Sequence, residues 1–91
     1  MIIVWTRHAE ERQRQWEVRL GITRHEVEAL LEVPEQIVRG DEDAQVAQVR
    51  RGQGLLRAVF LEIGGGRKIL TLCWTSRVNR YWQEGKDAGH V

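Results

Sequence analysis

Two β-rich runs, residues 55–63 and 68–75, stand either side of Gly64, Gly65 and Gly66, and no other feature narrows the choice of fold as much. Glycine reaches positive φ at no steric cost, so a glycine run between two such stretches reads as the turn of an antiparallel hairpin. The glycines lead into a strand and not a helix, which argues against a phosphate-cradling loop. With Ile63 opposite Arg67, the pattern predicts Glu62 against Lys68, Phe60 against Leu70, Ala58 against Leu72 and Leu56 against Trp74. That face is apolar with one opposite-charge pair at its end, and it should take the helices. The other face carries Leu55, Arg57, Val59, Leu61 and Ile63 with Ile69, Thr71, Cys73 and Thr75. Arg57 falls opposite Cys73, between Thr71 and Thr75. This mixed face is expected to be open or partly covered, although its aliphatics also admit the reverse assignment.

Upstream of the hairpin the period changes. Residues 2–5 read as a short strand or an ordered lead-in. Thr6 is placed to cap a helix running to about Leu20, with Glu10 and Glu11 near its positive end and Ala9, Trp16 and Leu20 on its apolar stripe. Gly21 ends it. Thr23-Arg24-His25-Glu26 is a capping box, flanked by Ile22 and Val27 as a hydrophobic staple. Val27, Leu30 and Leu31 face the core of this second helix, and Pro34 stops it. Residues 36–39 and 46–51 are weaker strand candidates, joined by an acidic turn over 40–43. Ser76 is placed to cap a last short helix carrying Val78, Tyr81 and Trp82. The expected fold class is α+β: an N-terminal helical hairpin packed on a mostly antiparallel sheet, with a short C-terminal helix.

The 91 residues fit one domain, expected over 1–82, with a polar and disordered tail over 83–91. No apolar run approaches the ~20 residues that cross a bilayer, and the first residues lack the basic lead-in of a signal peptide. The lone Cys73 forms no internal disulfide and offers no zinc pattern, so a cytoplasmic setting is expected, without metal or cofactor. The net charge is +1, yet the charge is unevenly spread. From residue 26 to 43, Glu26, Glu28, Glu32, Glu35, Asp41, Glu42 and Asp43 stand against Arg39 alone. From residue 50 to 80, Arg50, Arg51, Arg57, Arg67, Lys68, Arg77 and Arg80 stand against Glu62 alone, so the second half carries a local positive field. Arginine, which outnumbers lysine, suits bidentate phosphate contacts, while a solvated basic surface is the plainer reading.

Thr6-Arg7-His8-Ala9 with Glu11-Arg12, Arg19-Leu20-Gly21-Ile22 with Glu26-Val27, and Pro34-Glu35 form a recognisable series. Leu55-Leu56-Arg57-Ala58-Val59, Leu70-Thr71-Leu72-Cys73-Trp74-Thr75 and Tyr81-Trp82 extend it. The series resembles a family of small bacterial proteins with a His-Ala…Glu-Arg…Arg-Gly-Ile signature, similar to BrnT-like and, more widely, RelE-like toxins. Here Leu20 is inserted between the arginine and glycine of the last part. The resemblance implies a helical hairpin on an antiparallel sheet. It also implies metal-independent RNA cleavage, often of ribosome-bound message, by cationic residues on the exposed sheet face, and a small antitoxin partner that covers them.

Such cleavage needs a base for the 2′-hydroxyl proton, cations for the charge on phosphorus and an acid for the leaving oxygen. His8 is the natural acid or base, because histidine titrates near neutrality. Arg57 and Arg12 are the candidate phosphate clamps. Arg77, Arg80, Tyr81 and Lys68 are candidate RNA contacts, with Tyr81 as a base-stacking ring. Each has a structural alternative. His8 can bond a carbonyl or carboxylate at the helix start, Arg12 can pack on Trp16, and Tyr81 can belong to the core. Arg57, central in a strand, is harder to dismiss because a half-buried guanidinium needs a partner. His25 and His90 look exposed and incidental. Two functions follow: a toxin-like endoribonuclease, or a non-catalytic RNA-binding or protein-interaction module of the same fold, favoured by the lack of a lysine or glutamate base beside Arg57.

Overall fold

The protein is described here by a computed structural model covering residues 1–84. Of the expected polar tail over 83–91, the residues from 85 on, His90 among them, lie outside the described residues. The element order is β1 (Ile2–Trp5), α1 (Arg7–Leu20), α2 (Arg24–Glu32), β2 (Gln36–Arg39), β3 (Gln45–Arg51), β4 (Gly54–Ile63), β5 (Gly66–Thr75) and α3 (Val78–Tyr81). One sheet contains all five strands in the order β1-β5-β4-β3-β2. Three pairings are antiparallel, and β1 joins β5 in parallel. The α+β class is as expected; the five-stranded sheet is mixed, with its one parallel pairing at the β1 edge.

Local chemistry sets the helices. Thr6 Oγ1 accepts from the Ala9 amide at 3.1 Å, and Gly21 closes α1 in the left-handed region with φ 69°. Thr23 Oγ1 accepts from the Glu26 amide at 3.1 Å, so half of the capping box forms. The Glu26 carboxylate does not turn back to the cap, because Arg51 holds it through an Nε–Oε2 contact of 2.9 Å. Ile22 and Val27 are both fully buried, as a staple requires. The two helices lie on different parts of the sheet, α1 along β5 and α2 over β3 and β4. Leu20 is 38% exposed, so the apolar stripe of α1 ends at Trp16. Ser76 is no side-chain cap; the N-cap position of α3 is Arg77, whose amide donates to Thr75 Oγ1.

The hairpin register holds for half its length. Leu56 faces Trp74, Arg57 faces Cys73, Ala58 faces Leu72 and Val59 faces Thr71. A bulge follows, and Phe60 then faces Ile69 and Glu62 faces Arg67. The turn is Gly64-Gly65 alone; Gly66 is already a strand residue paired with Ile63 and with Ile2. The expected Phe60–Leu70 and Glu62–Lys68 pairs are therefore corrected by one residue. Ile69 belongs to the core, fully buried, and Leu70 moves to the opposite face. A bulge places two residues against one and re-aims side chains. Here it sets Leu70 and Thr71 side by side on the face away from α1 and α2. Leu70's carbonyl lies 3.2 Å from Thr6 Oγ1, where β1 ends and α1 begins.

Ala47, Leu56, Ala58, Phe60, Ile69 and Leu72 form the sheet side of the core beneath Ala9, Trp16, Ile22, Val27, Leu30 and Leu31. Fully burying each large member contributes about 1.5–3 kcal/mol against leaving it wet. The opposite face of the sheet is half covered. α3 and Trp82–Gln83 lie over it near β2 and β3, tied down by the buried Gln36 and Gln48. The remaining half is open.

Candidate phosphate-binding groove

The open half is a groove of about 790 Å³. Val46, Val59, Leu61 and Leu70 give it an aliphatic floor, Arg57, Thr71 and Tyr81 bound one part, and Arg39 with the β2–β3 turn bounds another. β4 sets Arg57 here by strand alternation: its neighbours Leu56 and Ala58 point into the core, so Arg57 must point away from the helices.

Two contacts, with the strand register behind them, fix the guanidinium. Arg57 Nε donates to Gln48 Oε1 at 2.6 Å, the Tyr81 ring lies under it with Cζ 3.9 Å from the centroid, and Gln48 sits in register across from it on β3. Stacking occupies one face and Nε is satisfied, so the two terminal nitrogens form the remaining donor edge. That edge suits a planar bidentate hold on a phosphate or carboxylate.

His8 reaches the same face from the start of α1. Its Nε2 lies 3.1 Å from Thr71 Oγ1, and the imidazole is exposed. The hydroxyl donates if Nε2 is bare and accepts if Nε2 carries the proton. Thr71 is the diagonal neighbour of Arg57 on the adjacent strand, roughly 7–8 Å away. Sequence-distant His8 and Arg57 thus flank one short stretch of surface.

The other candidates divide. Arg80 is exposed and lies 5.5 Å from the Tyr81 centroid, without lining the groove. Lys68 is exposed and registered between Val4 and Leu61, further along the same face. Arg77 is exposed beside α3 and makes no groove wall. Arg12 bonds Gln15 Oε1 at 3.0 Å and lies 5.9 Å from the Trp16 ring, one turn along α1 from His8 and outside the groove lining. Tyr81 is half-buried with one ring face taken by Arg57, which leaves at most the other face for a base.

The basic second half is less available than its composition suggests. Arg50 stacks on Trp82, Arg51 pairs with Glu26, and Arg67 donates to the Leu31 carbonyl while pairing with Glu62. Asp41, Glu42 and Asp43 belong to the groove wall, and among the described residues no ion pair joins them to a cation. Two residues of the site were not singled out from the sequence: Gln48, which orients Arg57, and Thr71, which meets His8. Both follow from register once β3 and β5 are paired with β4.

Among the described residues no group of three His, Cys, Asp or Glu side chains is arranged to hold a metal ion, and no helix is long and apolar enough to cross a membrane. Comparison with protein-family models, with curated proteins and with solved structures finds no match.

Proposed function

We propose that this chain is a toxin-like endoribonuclease that cuts single-stranded RNA, free or as ribosome-bound message, in the cytoplasm, with a small antitoxin protein as its natural partner. The reading takes the helices-over-sheet architecture as a RelE-like arrangement. The observation that carries it is the convergence of His8, Thr71 and Arg57 on one open face.

The chemistry assigned to these groups is a transesterification. His8 takes the 2′-hydroxyl proton, the 2′-oxygen attacks phosphorus, and the P–O5′ bond breaks as a 2′,3′-cyclic phosphate forms. The 5′-oxygen takes a proton from water, and His8 returns its proton to the hydroxide left behind. Arg57 holds the non-bridging oxygens and offsets the charge that builds on the phosphorane, where a preorganised donor is most effective. Thr71 keeps the imidazole aimed. Purified protein is expected to cut RNA, and Arg57→Ala and His8→Ala are each expected to slow cutting by ~10²-fold or more. Equal rates in wild type and both variants would sink the assignment.

A non-catalytic module, binding RNA or protein, is the second reading. It is favoured by the aliphatic floor, the acidic turn and the absence of a carboxylate or lysine from His8's described contacts. Affinity for RNA that falls steeply with salt, with no cleavage, would select RNA binding; no affinity at low salt would select a protein partner.

A further inference from the structure

We propose that Gln48 is the positioning residue of the groove, and that a buried amide relay through Gln36 makes the orientation of Arg57 conditional on docking of the segment from Tyr81 to Gln83. Gln48 and Gln36 are 0% and 1% exposed, which is rare for side chains with four hydrogen-bonding sites unless those sites are matched.

The relay has one possible direction. A guanidinium only donates, so Gln48 must present its oxygen to Arg57 Nε, at 2.6 Å. Its amide nitrogen then points the other way, donating to Gln36 Oε1 at 2.6 Å and to the Tyr81 carbonyl at 3.2 Å. Gln36 Oε1 also accepts from the Gln83 backbone amide at 3.0 Å, while Gln36 Nε2 donates to the Gln83 carbonyl at 3.0 Å. Every link is fixed by the one before it. Arg57 stands at one end and the C-terminal segment at the other. The segment contributes twice to Arg57, through this relay and through the Tyr81 ring beneath the guanidinium. Arg50 over Trp82, 4.3 Å to the centroid, adds a clamp between them.

Undocking the segment removes the Tyr81 carbonyl and both Gln83 groups together. Gln48 and Gln36 then each lose hydrogen-bond partners, and the Gln48 oxygen is held toward Arg57 by fewer contacts than in the docked state. On the reading that Arg57 holds phosphate, the docked segment is the on state of the groove and the undocked segment the off state.

The test is arginine side-chain NMR on ¹⁵N-labelled full-length protein, joined to RNA binding on the same samples. In the wild type, Arg57 Hε is expected to exchange with water at least about tenfold more slowly than the exposed Arg80 Hε. Gln36→Met leaves the Gln48 oxygen in place but cuts the relay; it is expected to bring Arg57 Hε to the Arg80 rate and to weaken RNA binding about tenfold, the loss of one charged-group hydrogen bond. Gln48→Met should do the same. Arg57 Hε exchanging as fast as Arg80 Hε in the wild type, or staying slow in Gln36→Met, overturns the proposal. Slow exchange that responds to Gln36→Met, with RNA binding untouched by Arg57→Ala, leaves the relay standing and removes the RNA reading of the groove.

Discussion

At the scale of single residues, stability and function are expected to separate. Thr6 serves stability: it caps α1 and its Oγ1 lies 2.8 Å from the Ile69 carbonyl, so it fastens the edge of β5 as well. Thr6→Ala is expected to cost about 1–2 kcal/mol, read by urea unfolding. His8, two residues on, is exposed; His8→Ala should change unfolding by no more than about 0.5 kcal/mol while slowing cleavage by ~10²-fold or more. The Thr6 and Thr23 caps were legible in the sequence because a cap is a local event, settled by a hydroxyl and an amide three residues away; the expected Ser76 cap does not form. The glutamines were not. Gln36 and Gln48 lie in short, weakly patterned strands, where glutamine reads as a solvated residue. Only the pairing of β2 with β3, and the arrival of Gln83 from far along the chain, puts them inside. The available signal was alternation: Val46, Gln48 and Arg50 share a face, and Gln48 falls opposite Arg57 once β3 is laid on β4.

At the scale of elements, the hairpin shows how three identical residues take three roles. Gly64 has open space around its missing Cβ, and Gly65 has φ +78°. At Gly66 a Cβ would lie 1.8 Å from the Ile2 carbonyl oxygen. Gly64→Ala should therefore be neutral within about 0.5 kcal/mol, and Gly65→Ala should cost about 1–2 kcal/mol. Gly66→Ala should cost more than either, because β1 cannot approach β5 without the backbone moving. Thermal unfolding of the three variants checks the order. In the β2–β3 turn, Glu42 holds φ 54° without being glycine; Glu42→Gly is expected to stabilise by about 0.5–1 kcal/mol. The strands of the hairpin were legible from their composition, but the bulge was not taken from the sequence. Its trace was there. Ile69, Leu72 and Trp74 all face the core, and the three-residue step from Ile69 to Leu72 breaks the two-residue period that Leu72 to Trp74 keeps. Reading the glycines as a three-residue turn absorbed that extra residue in the wrong place.

At the scale of the molecule, the fold class followed from pattern, and the availability of charge did not. Helices first and strands afterwards fixed an α+β arrangement. The parallel placement of β1, which puts α1 beside the free end of β5 and so brings His8 to Thr71, depends on long-range contacts that no window of sequence contains. The basic second half looked like a continuous positive surface, but Arg50, Arg51 and Arg67 have partners within the fold. Within the groove the arrangement is narrower: Arg57 is the guanidinium that other side chains orient, with His8 bonded to Thr71 nearby, while Arg39 stands in the wall and Lys68 lies further along the face. The direct test is to incubate purified protein with a single-stranded RNA and analyse the new ends. The expected result is 2′,3′-cyclic phosphate termini from the wild type and intact RNA from both Arg57→Ala and His8→Ala. RNA that stays intact with folded wild-type protein, or cyclic ends produced as fast by either variant, would contradict the account.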